Sequence, residues 1–254
     1  NECMSNFGGF DHNIQTLRIV TLLENKYYNF KGLNLSIETL DGLIKHNGPI
    51  VDNSKYNKIL GKNIFKKKIN FLKHPSIEAG ISSISDDIAY NSHDLEDGIK
   101  AKLFEINDIK DVPVIKDIIK KHKKNINRER KDLILRQIIR DTINEMVKDV
   151  IMNTRDNLKK NKVKNINDVY KSKIKLVDFS NKMREFDHEI KKFLNYKMYN
   201  HKLVLNKTKR GADIIKFLFK KIYKRPQMFI KKGKLHGKNK ERTICDFIAG
   251  MTDR

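Results

Sequence analysis

Apolar side chains recur every three or four residues along most of the chain, and this spacing predicts α-helices. The two clearest runs are Ile77, Ile81, Ile84 and Ile88, and Leu135, Ile139, Ile143, Met146 and Val150. Side chains three and four residues apart lie on one face of a helix. We therefore expect amphipathic helices that pack their apolar faces into a core.

The apolar spacing and the residues that flank it divide the chain into predicted helices. They cover residues 10–30, 35–47, a stretch from Pro75 onward, two helices within 114–160, and then 181–205, 208–223 and 241–254. The expected inward residues of the first two helices are Leu17, Val20 and Leu23, and Leu35, Leu40, Leu43 and Ile44. Asp11 is the expected cap of the first helix.

The segments between these helices lack a clean period. Residues 52–74 are rich in Lys and Asn, and we predict an exposed loop there. Residues 120–131 and 231–240 are basic and are predicted to separate helices. Only 4 prolines and 12 glycines interrupt the chain, which is few for a β-sandwich of this length. The predicted fold class is therefore all-α, with residues 1–254 forming a single helical domain.

The formal net charge of the 254 residues is +23. A basic excess of this size is typical of proteins that bind nucleic acid, an anionic membrane surface or a phosphorylated ligand. Lys, Asn and Ile are all frequent, so a compositional bias on solvated faces explains the charge equally well. Two distant cysteines, the lack of a signal peptide and the lack of a long apolar run predict a reduced, cytoplasmic protein without membrane spans.

Against this basic background, residues 82–98 gather five acids, a tyrosine and a histidine. Asp86, Tyr90 and Asp94 are spaced four residues apart and share one helix face. Carboxylates are hard oxygen ligands that suit Mg²⁺ or Mn²⁺ and accept iron. This face lies opposite the isoleucine run, where a solvated charged face also belongs. From the residues alone, both interpretations stay open, and the solvated face is favoured.

The GGFDHN stretch is a second candidate for chemistry. His12, Asn13 and Gln15 have the side chains to converge on a ligand, and Arg18 has the charge to hold a phosphate. An ordinary helix start, with Asp11 as the cap, explains the same residues.

Two further groups have equally ordinary explanations. Lys45 and His46 complement the negative end of a helix dipole unless a phosphate lies nearby. Tyr199, His201 and Lys202 carry no signal above that of a helix surface.

Four blocks together resemble the bacterial deoxyguanosinetriphosphate triphosphohydrolase (dGTPase) family of the HD superfamily. They are GGFDHNIQTLRIV, GLNLSIETLDGLIKHNGPI, PSIEAGISSISDDIAYNSHDLEDG and ICDFIAGMTDR, in that order along nearly the whole chain. The resemblance implies an HD-type helical fold, with a partial HD part over residues 1–110 and a C-terminal helical part over 114–254. It also implies hydrolysis of a dNTP to the deoxynucleoside and tripolyphosphate, by metal-assisted attack of water at the α-phosphorus.

The resemblance assigns roles on the helix that carries the acids. It places Asp86 as a ligand of a divalent metal, Tyr90 against the deoxyribose and Asp94 at the sugar 3′-hydroxyl. Tyr199 becomes a contact near the sugar or base. The family usually has MYRH there, whereas this chain has Tyr199-Asn200-His201, so any role of that Arg is in doubt.

The same resemblance assigns the phosphate side of the site. His12 is the catalytic candidate, and His12 and Asn13 lie near the phosphates and the attacking water. Arg18 and Lys45 are candidate phosphate contacts.

The family's first His and its His-Asp pair belong upstream of GGFDHN, where this sequence has only NECMSNF. We therefore expect an internal fragment, cut at both ends and stopping within a helix, that is inactive or nearly so by itself. The resemblance also implies a homo-oligomeric full-length protein and an association with single-stranded DNA. A non-catalytic, helical nucleic-acid binder remains the alternative function, although few aromatics interleave the basic runs.

Overall fold

The computed structural model describes residues 1–52, 54–56, 69–122, 131–231 and 240–252, and all regular elements in these ranges are helical. The predicted all-α class is confirmed. In chain order, the α-helices are α1 His12–Arg18, α2 Ile37–Ile44, α3 Ile77–Lys100, α4 Pro113–His122, α5 Lys131–Lys160, α6 Ile166–Lys171, α7 Asn181–Leu194, α8 Lys202–Lys224 and α9 Lys240–Ala249. Short 3₁₀ segments cover Glu2–Phe7, Ile106–Ile109 and Pro226–Met228, and π-helical turns cover Ile19–Leu23 and Asn195–Tyr199.

The chain divides into two compact units. The first unit comprises Asn1–Lys73 and Asn206–Arg254, and the second comprises His74–Leu205. The single domain over residues 1–254, with parts at 1–110 and 114–254, stays a prediction. No described helix is long and apolar enough to cross a membrane.

In the first unit, α1 and α2 pack through a small apolar cluster. Asp11 caps α1, as predicted, by accepting a hydrogen bond from the Ile14 amide at 3.1 Å. Ser36 caps α2 in the same way through Thr39. The cluster consists of the buried residues Ile14, Leu17, Leu40, Ile44 and Ile69, with Val20, Leu35 and Leu43 partly buried against it. These apolar faces orient the start of α1.

The predicted first helix over residues 10–30 is too long. The helix continues α1 through a π-helical turn and ends at Leu23, because Glu24 adopts an extended conformation. The returning chain occupies the free carbonyls: Gly32 donates to the Glu24 carbonyl at 2.9 Å and Leu33 to that of Val20 at 2.8 Å. Gly32 has a φ of +70°, and an added Cβ would lie 2.4 Å from the Val20 carbonyl oxygen, so only glycine fits.

A second apolar cluster of the first unit joins the two ends of the sequence. Its buried members are Met4, Phe219, Ile222, Ile230, Ile244 and Cys245. The 3₁₀ segment at the start of the chain thereby packs on α9. The neighbourhood of GGFDHN is built from residues more than 200 positions apart.

The second unit is a bundle in which α3 packs against α5 and α7. The isoleucine run of α3 is only partly buried as predicted, since Ile84 and Ile88 are 2% and 4% exposed but Ile81 is 46% exposed. The run on α5 is confirmed, with Leu135, Ile139, Met146 and Val150 buried and Ile143 partly buried. Ser76 caps α3 by accepting a bond from Ala79. Helix α3 therefore buries one apolar face and exposes Asp86, Asp87 and Asp97.

Some predicted boundaries are wrong. The helix expected over 181–205 is interrupted near Asn200, where the π-helical turn ends and α8 begins at Lys202. The last helix ends at Ala249, before Gly250, so the described chain does not stop within a helix. The short helix α6 was not predicted, although Asn165 and Asp168 form its capping box. Most of the predicted loop 52–74 and of the basic segments 120–131 and 231–240 lies outside the described residues.

Gly98→Ala is expected to destabilise the protein by about 1–3 kcal/mol. Its Cβ would lie 2.2 Å from the ring of Phe104, which is buried in the core of the second unit. Gly211→Ala is the matched control, because Gly211 is also helical and has nothing within 4 Å of an added Cβ. That control should be neutral or stabilising by up to about 1 kcal/mol. Urea unfolding of both variants measures the difference, and equal effects would contradict the Phe104 contact.

Candidate functional site

Three residues that the sequence analysis assigned to sugar recognition lie together in the second unit. The Tyr199 hydroxyl donates a short hydrogen bond to Oδ2 of Asp94, across 105 residues of sequence. Tyr199 is also hydrogen-bonded to Tyr90. Tyr90 and Asp94 are one turn apart on α3, and Tyr199 closes the π-helical turn after α7. Tyr90 is 58% exposed, so the cluster presents an aromatic ring and a carboxylate to solvent.

The Tyr199 hydroxyl is held in its protonated form. Burial raises the pKa of Tyr199 far above its usual value near 10, and the hydrogen bonds to Asp94 and Tyr90 raise it further. Because the folded-state pKa lies above the unfolded one, the stabilisation is fully present below pH 10 and is lost as the pH rises above it. Tyr199 therefore acts as a hydrogen-bond donor that fixes the Asp94 carboxylate.

The variant Tyr199→Phe should show the same absorbance from ionised tyrosines as the wild type up to about pH 11, as long as both proteins stay folded. The chain contains 8 tyrosines, so a Tyr199 with an ordinary pKa would supply about one eighth of that signal. Absorbance titration near 295 nm of the wild type and of Tyr199→Phe tests this. A loss of about one eighth of the amplitude in the variant would contradict the hydrogen-bonded cluster. Tyr199→Phe should also cost about 1.5 kcal/mol of stability near neutral pH.

Asp86 lies one turn before Tyr90 on the exposed face of α3. Asp86, Tyr90 and Asp94 thus form the line along one helix that their spacing predicted. Among the described residues, no group of three or more His, Cys, Asp or Glu side chains is placed to hold a metal ion. The described residues therefore do not by themselves fit the divalent metal that the resemblance implies.

A polar network that is buried at Asn91 and Asp187 and exposed at Lys191 and Asp87 lies beside this line and was not predicted. Asn91 donates to Oδ1 of Asp187 at 2.8 Å, and Lys191 pairs with Oδ2 of Asp187 at 2.9 Å. Lys191 also lies 3.7 Å from Asp87, the neighbour of Asp86. Burial works to lower the pKa of Lys191, but bonding and charge from Asp187 and Asp87 outweigh it, so the pKa is raised. The network ties α7 to α3. The Asp187–Lys191 pair has the i,i+4 spacing of one helix face, whereas the contacts with Asn91 and Asp87 join distant residues and leave no local signal in the sequence.

In the first unit, His12 opens onto a cleft of about 560 Å³. The cleft is lined by Asn1, Glu2, Ser5, Gly8, Gly9, Phe10, Asp11, His12 and Lys55. His12 is the first residue of α1 and is exposed, and Asn13 beside it is partly buried. Gly8 and Gly9 turn the chain with φ angles of +93° and +75°. The cleft therefore presents an imidazole and a lysine to any ligand, together with the carboxylates of Glu2 and Asp11.

Arg18 is engaged by a partner that sequence reasoning missed. Its Nε donates to Oδ1 of Asp246 at 3.1 Å and its Nη2 to Oδ2 at 2.5 Å. Gln15 donates to the same carboxylate at 2.9 Å. The ion pair is 13% exposed on the Arg18 side and 11% on the Asp246 side. The two bonds from Arg18 to the two oxygens of Asp246, called the Arg18–Asp246 fork below, join α1 to α9 within the first unit.

Lys45, the other candidate phosphate contact, lies just after α2 and is only 2% exposed. Its ammonium pairs with Asp41 at 2.6 Å, one turn earlier. Burial raises the pKa of Asp41, and the bond to Lys45 opposes this. Lys45 is thus a buried, paired cation in this structure.

Comparison with known proteins connects these sites to a family. A model described as "Phosphohydrolase-associated domain" matches residues 177–254. A deoxyguanosinetriphosphate triphosphohydrolase-like protein of Pelagibacter ubique is 55% identical over 254 residues, which cover 100% of this chain and 68% of that protein. Proteins with the same name from Rickettsia typhi and Parvibaculum lavamentivorans are 36% and 35% identical, over 100% and 99% of this chain and 67% and 66% of their own lengths. The chain therefore belongs to the family of deoxyguanosinetriphosphate triphosphohydrolase-like proteins.

Proposed function

We propose that the chain contributes the sugar-binding and part of the phosphate-binding side of a dNTP triphosphohydrolase. In this reaction, the oxygen of water bonds to the α-phosphorus and the bond from that phosphorus to the 5′-oxygen breaks. The deoxynucleoside leaves with a proton on its 5′-oxygen, and tripolyphosphate is the second product. The relatives' name supports dGTP as a substrate, and no contact among the described residues selects guanine over another base.

The main support for the proposal is the cluster of Tyr90, Asp94 and Tyr199. An exposed aromatic ring offers a flat surface to a sugar, and a carboxylate accepts a hydrogen bond from a hydroxyl group. Tyr199 occupies Oδ2 of Asp94. Oδ1 is then the atom that would accept the 3′-hydroxyl, and the bond to Tyr199 holds it in place before the ligand arrives.

The residues that the resemblance assigns to the phosphates all belong to the first unit. His12 is proposed to carry a proton at the attacking water, and Asn13 to hydrogen-bond beside it. Arg18 and Lys45 are proposed to place positive charge near the triphosphate. Asp246 and Asp41 already pair with these two cations. Arg18 and Lys45 would therefore act from fixed positions and not as mobile side chains.

The proposal includes a divalent ion (Mg²⁺, Mn²⁺ or iron) because the family resemblance implies one. Asp86 would be one of its ligands. The resemblance assigns the other three ligands to no residue of this sequence. One carboxylate does not hold such an ion tightly, because these sites use several ligands in fixed geometry. We therefore expect dNTP turnover by the 254-residue chain alone to be at or near background, measured as tripolyphosphate release.

Ligand-induced stabilisation tests the proposed function without requiring turnover. A saturating dNTP should raise the unfolding midpoint, since a ligand at about 100 times its Kd stabilises by about 2.7 kcal/mol. The comparison ligands are deoxyguanosine alone and tripolyphosphate alone, each of which should stabilise less than dGTP. Stabilisation by tripolyphosphate equal to that by dGTP would reduce the site to a general polyanion site and contradict the proposal.

The alternative function, binding of single-stranded DNA, has one specific observation in its favour. Helix α8 carries exposed cations at Lys202, Lys207, Lys209 and Arg210. DNA affinity that falls steeply with salt would support this alternative, because each neutralised phosphate releases a counterion. Assembly of the protein into a homo-oligomer is also proposed through the family, and sedimentation measurements test it.

A further inference from the structure

Two side chains of α9, one turn apart, contact the elements on either side of His12. Arg242 donates from Nη2 to the Gly9 carbonyl at 2.7 Å and to the Phe7 carbonyl at 3.3 Å. Asp246 accepts from Gln15 and Arg18 on α1. Residues four apart lie on the same helix face, so one face of α9 holds both the glycine turn before His12 and the helix after it.

The glycine turn needs such support. Gly8 and Gly9 both have left-handed φ values, and nothing lies within 4 Å of a Cβ added at Gly9. Glycine populates many backbone conformations, so a pair of glycines costs more entropy to order than other residues do. The Gly9 amide donates to the Met4 carbonyl at 2.8 Å, which fixes one side of the turn. The guanidinium of Arg242 fixes the carbonyls on either side of Gly8.

We propose that Arg242 is a positioning residue that holds the turn Phe7–Gly9, and with it His12, in a fixed place at the cleft. Its role in catalysis rests on the proposed function, whereas its effect on the turn does not. A charged donor shared between two carbonyls binds more strongly than a neutral one. No other cation of α9 has this role in the described residues, since Lys240 lies over the ring of Tyr223.

Arg242→Ala should release the turn without unfolding the unit. Hydrogen–deuterium exchange of residues 7–14 should accelerate about ten-fold, while exchange within residues 218–224 changes little. The ring-proton NMR signal of His12 should move, whereas that of His93 in the second unit should stay. Arg210→Ala is the matched control, because Arg210 is an exposed arginine of the first unit on α8.

Two further variants keep the test decisive. Arg242→Lys retains one charged donor and should restore part of the protection, and Arg242→Gln serves if the alanine variant fails to fold. Unchanged exchange in residues 7–14, or equal acceleration in 218–224, would overturn the proposal. All of these readouts are made without nucleotide. A failure of dNTP to stabilise the wild type would therefore count against the proposed function alone.

Discussion

Asp246→Ala is expected to destabilise the first unit by about 3 kcal/mol. The substitution removes the acceptor of Arg18 and Gln15 and leaves a nearly buried guanidinium without its carboxylate. Breaking a buried pair from one side costs more than the pair itself contributes, because the remaining charge keeps its desolvation penalty. Gln15 is 5% exposed and would also lose its amide acceptor.

Chemical denaturation, followed by a signal from the first unit, measures this effect. Asp213→Ala is the matched control, since Asp213 is an exposed carboxylate on α8 in the same unit. Its stability should change by no more than about 0.5 kcal/mol. If the two variants unfold at the same denaturant concentration, the Arg18–Asp246 fork does not stabilise α1 against α9.

Tyr90→Ala should weaken dNTP binding about ten-fold or more, and the loss of its hydrogen bond to Tyr199 should cost no more than about 1.5 kcal/mol of stability. Stacking of a nucleotide base on an aromatic ring contributes about 1–3 kcal/mol, and we expect the lower part of this range for a deoxyribose. Tyr90 is 58% exposed, so its removal opens no cavity in the core. Calorimetric titration with dGTP gives the Kd of the wild type and of the variant.

Two companion variants separate the ring from other effects. Tyr196→Ala removes a 75% exposed tyrosine of the neighbouring π-helical turn and should leave the Kd unchanged. Tyr90→Phe retains the ring and should lose only a small part of the affinity. A Tyr90→Ala protein that binds dGTP as tightly as the wild type would show that the ring does not contact the nucleotide.

The helices with strong apolar spacing could be predicted from the sequence. The residues at which helices end could be predicted less well. The runs on α3 and α5 gave the right helices because burial of one face dominates their energetics. The end of the first helix depends on Gly32 and Leu33, which return from a turn to cap carbonyls of the π-helical turn. Such a contact is tertiary and leaves no periodic signal.

The candidate site also has one part that the sequence predicted and one part that it did not. The common face of Asp86, Tyr90 and Asp94 follows from helix geometry alone. The approach of Tyr199 to Asp94 required the packing of α7 on α3. Nothing near Arg18 or Gly9 in the sequence indicates that Asp246 and Arg242 are their partners, because α9 comes more than 200 residues later.

The most direct test of the account measures the binding of two nucleotides to the wild type and to two variants. We predict that the wild type binds dGTP about ten-fold or more tightly than its 3′-deoxy analogue, 2′,3′-dideoxy-GTP, because Asp94 accepts a bond from the 3′-hydroxyl. Asp94→Asn should lose most of this preference, whereas Asp97→Asn, which changes an exposed acid on the same helix, should keep it. Equal binding of the two nucleotides by the wild type, or an undiminished preference in Asp94→Asn, would contradict the account.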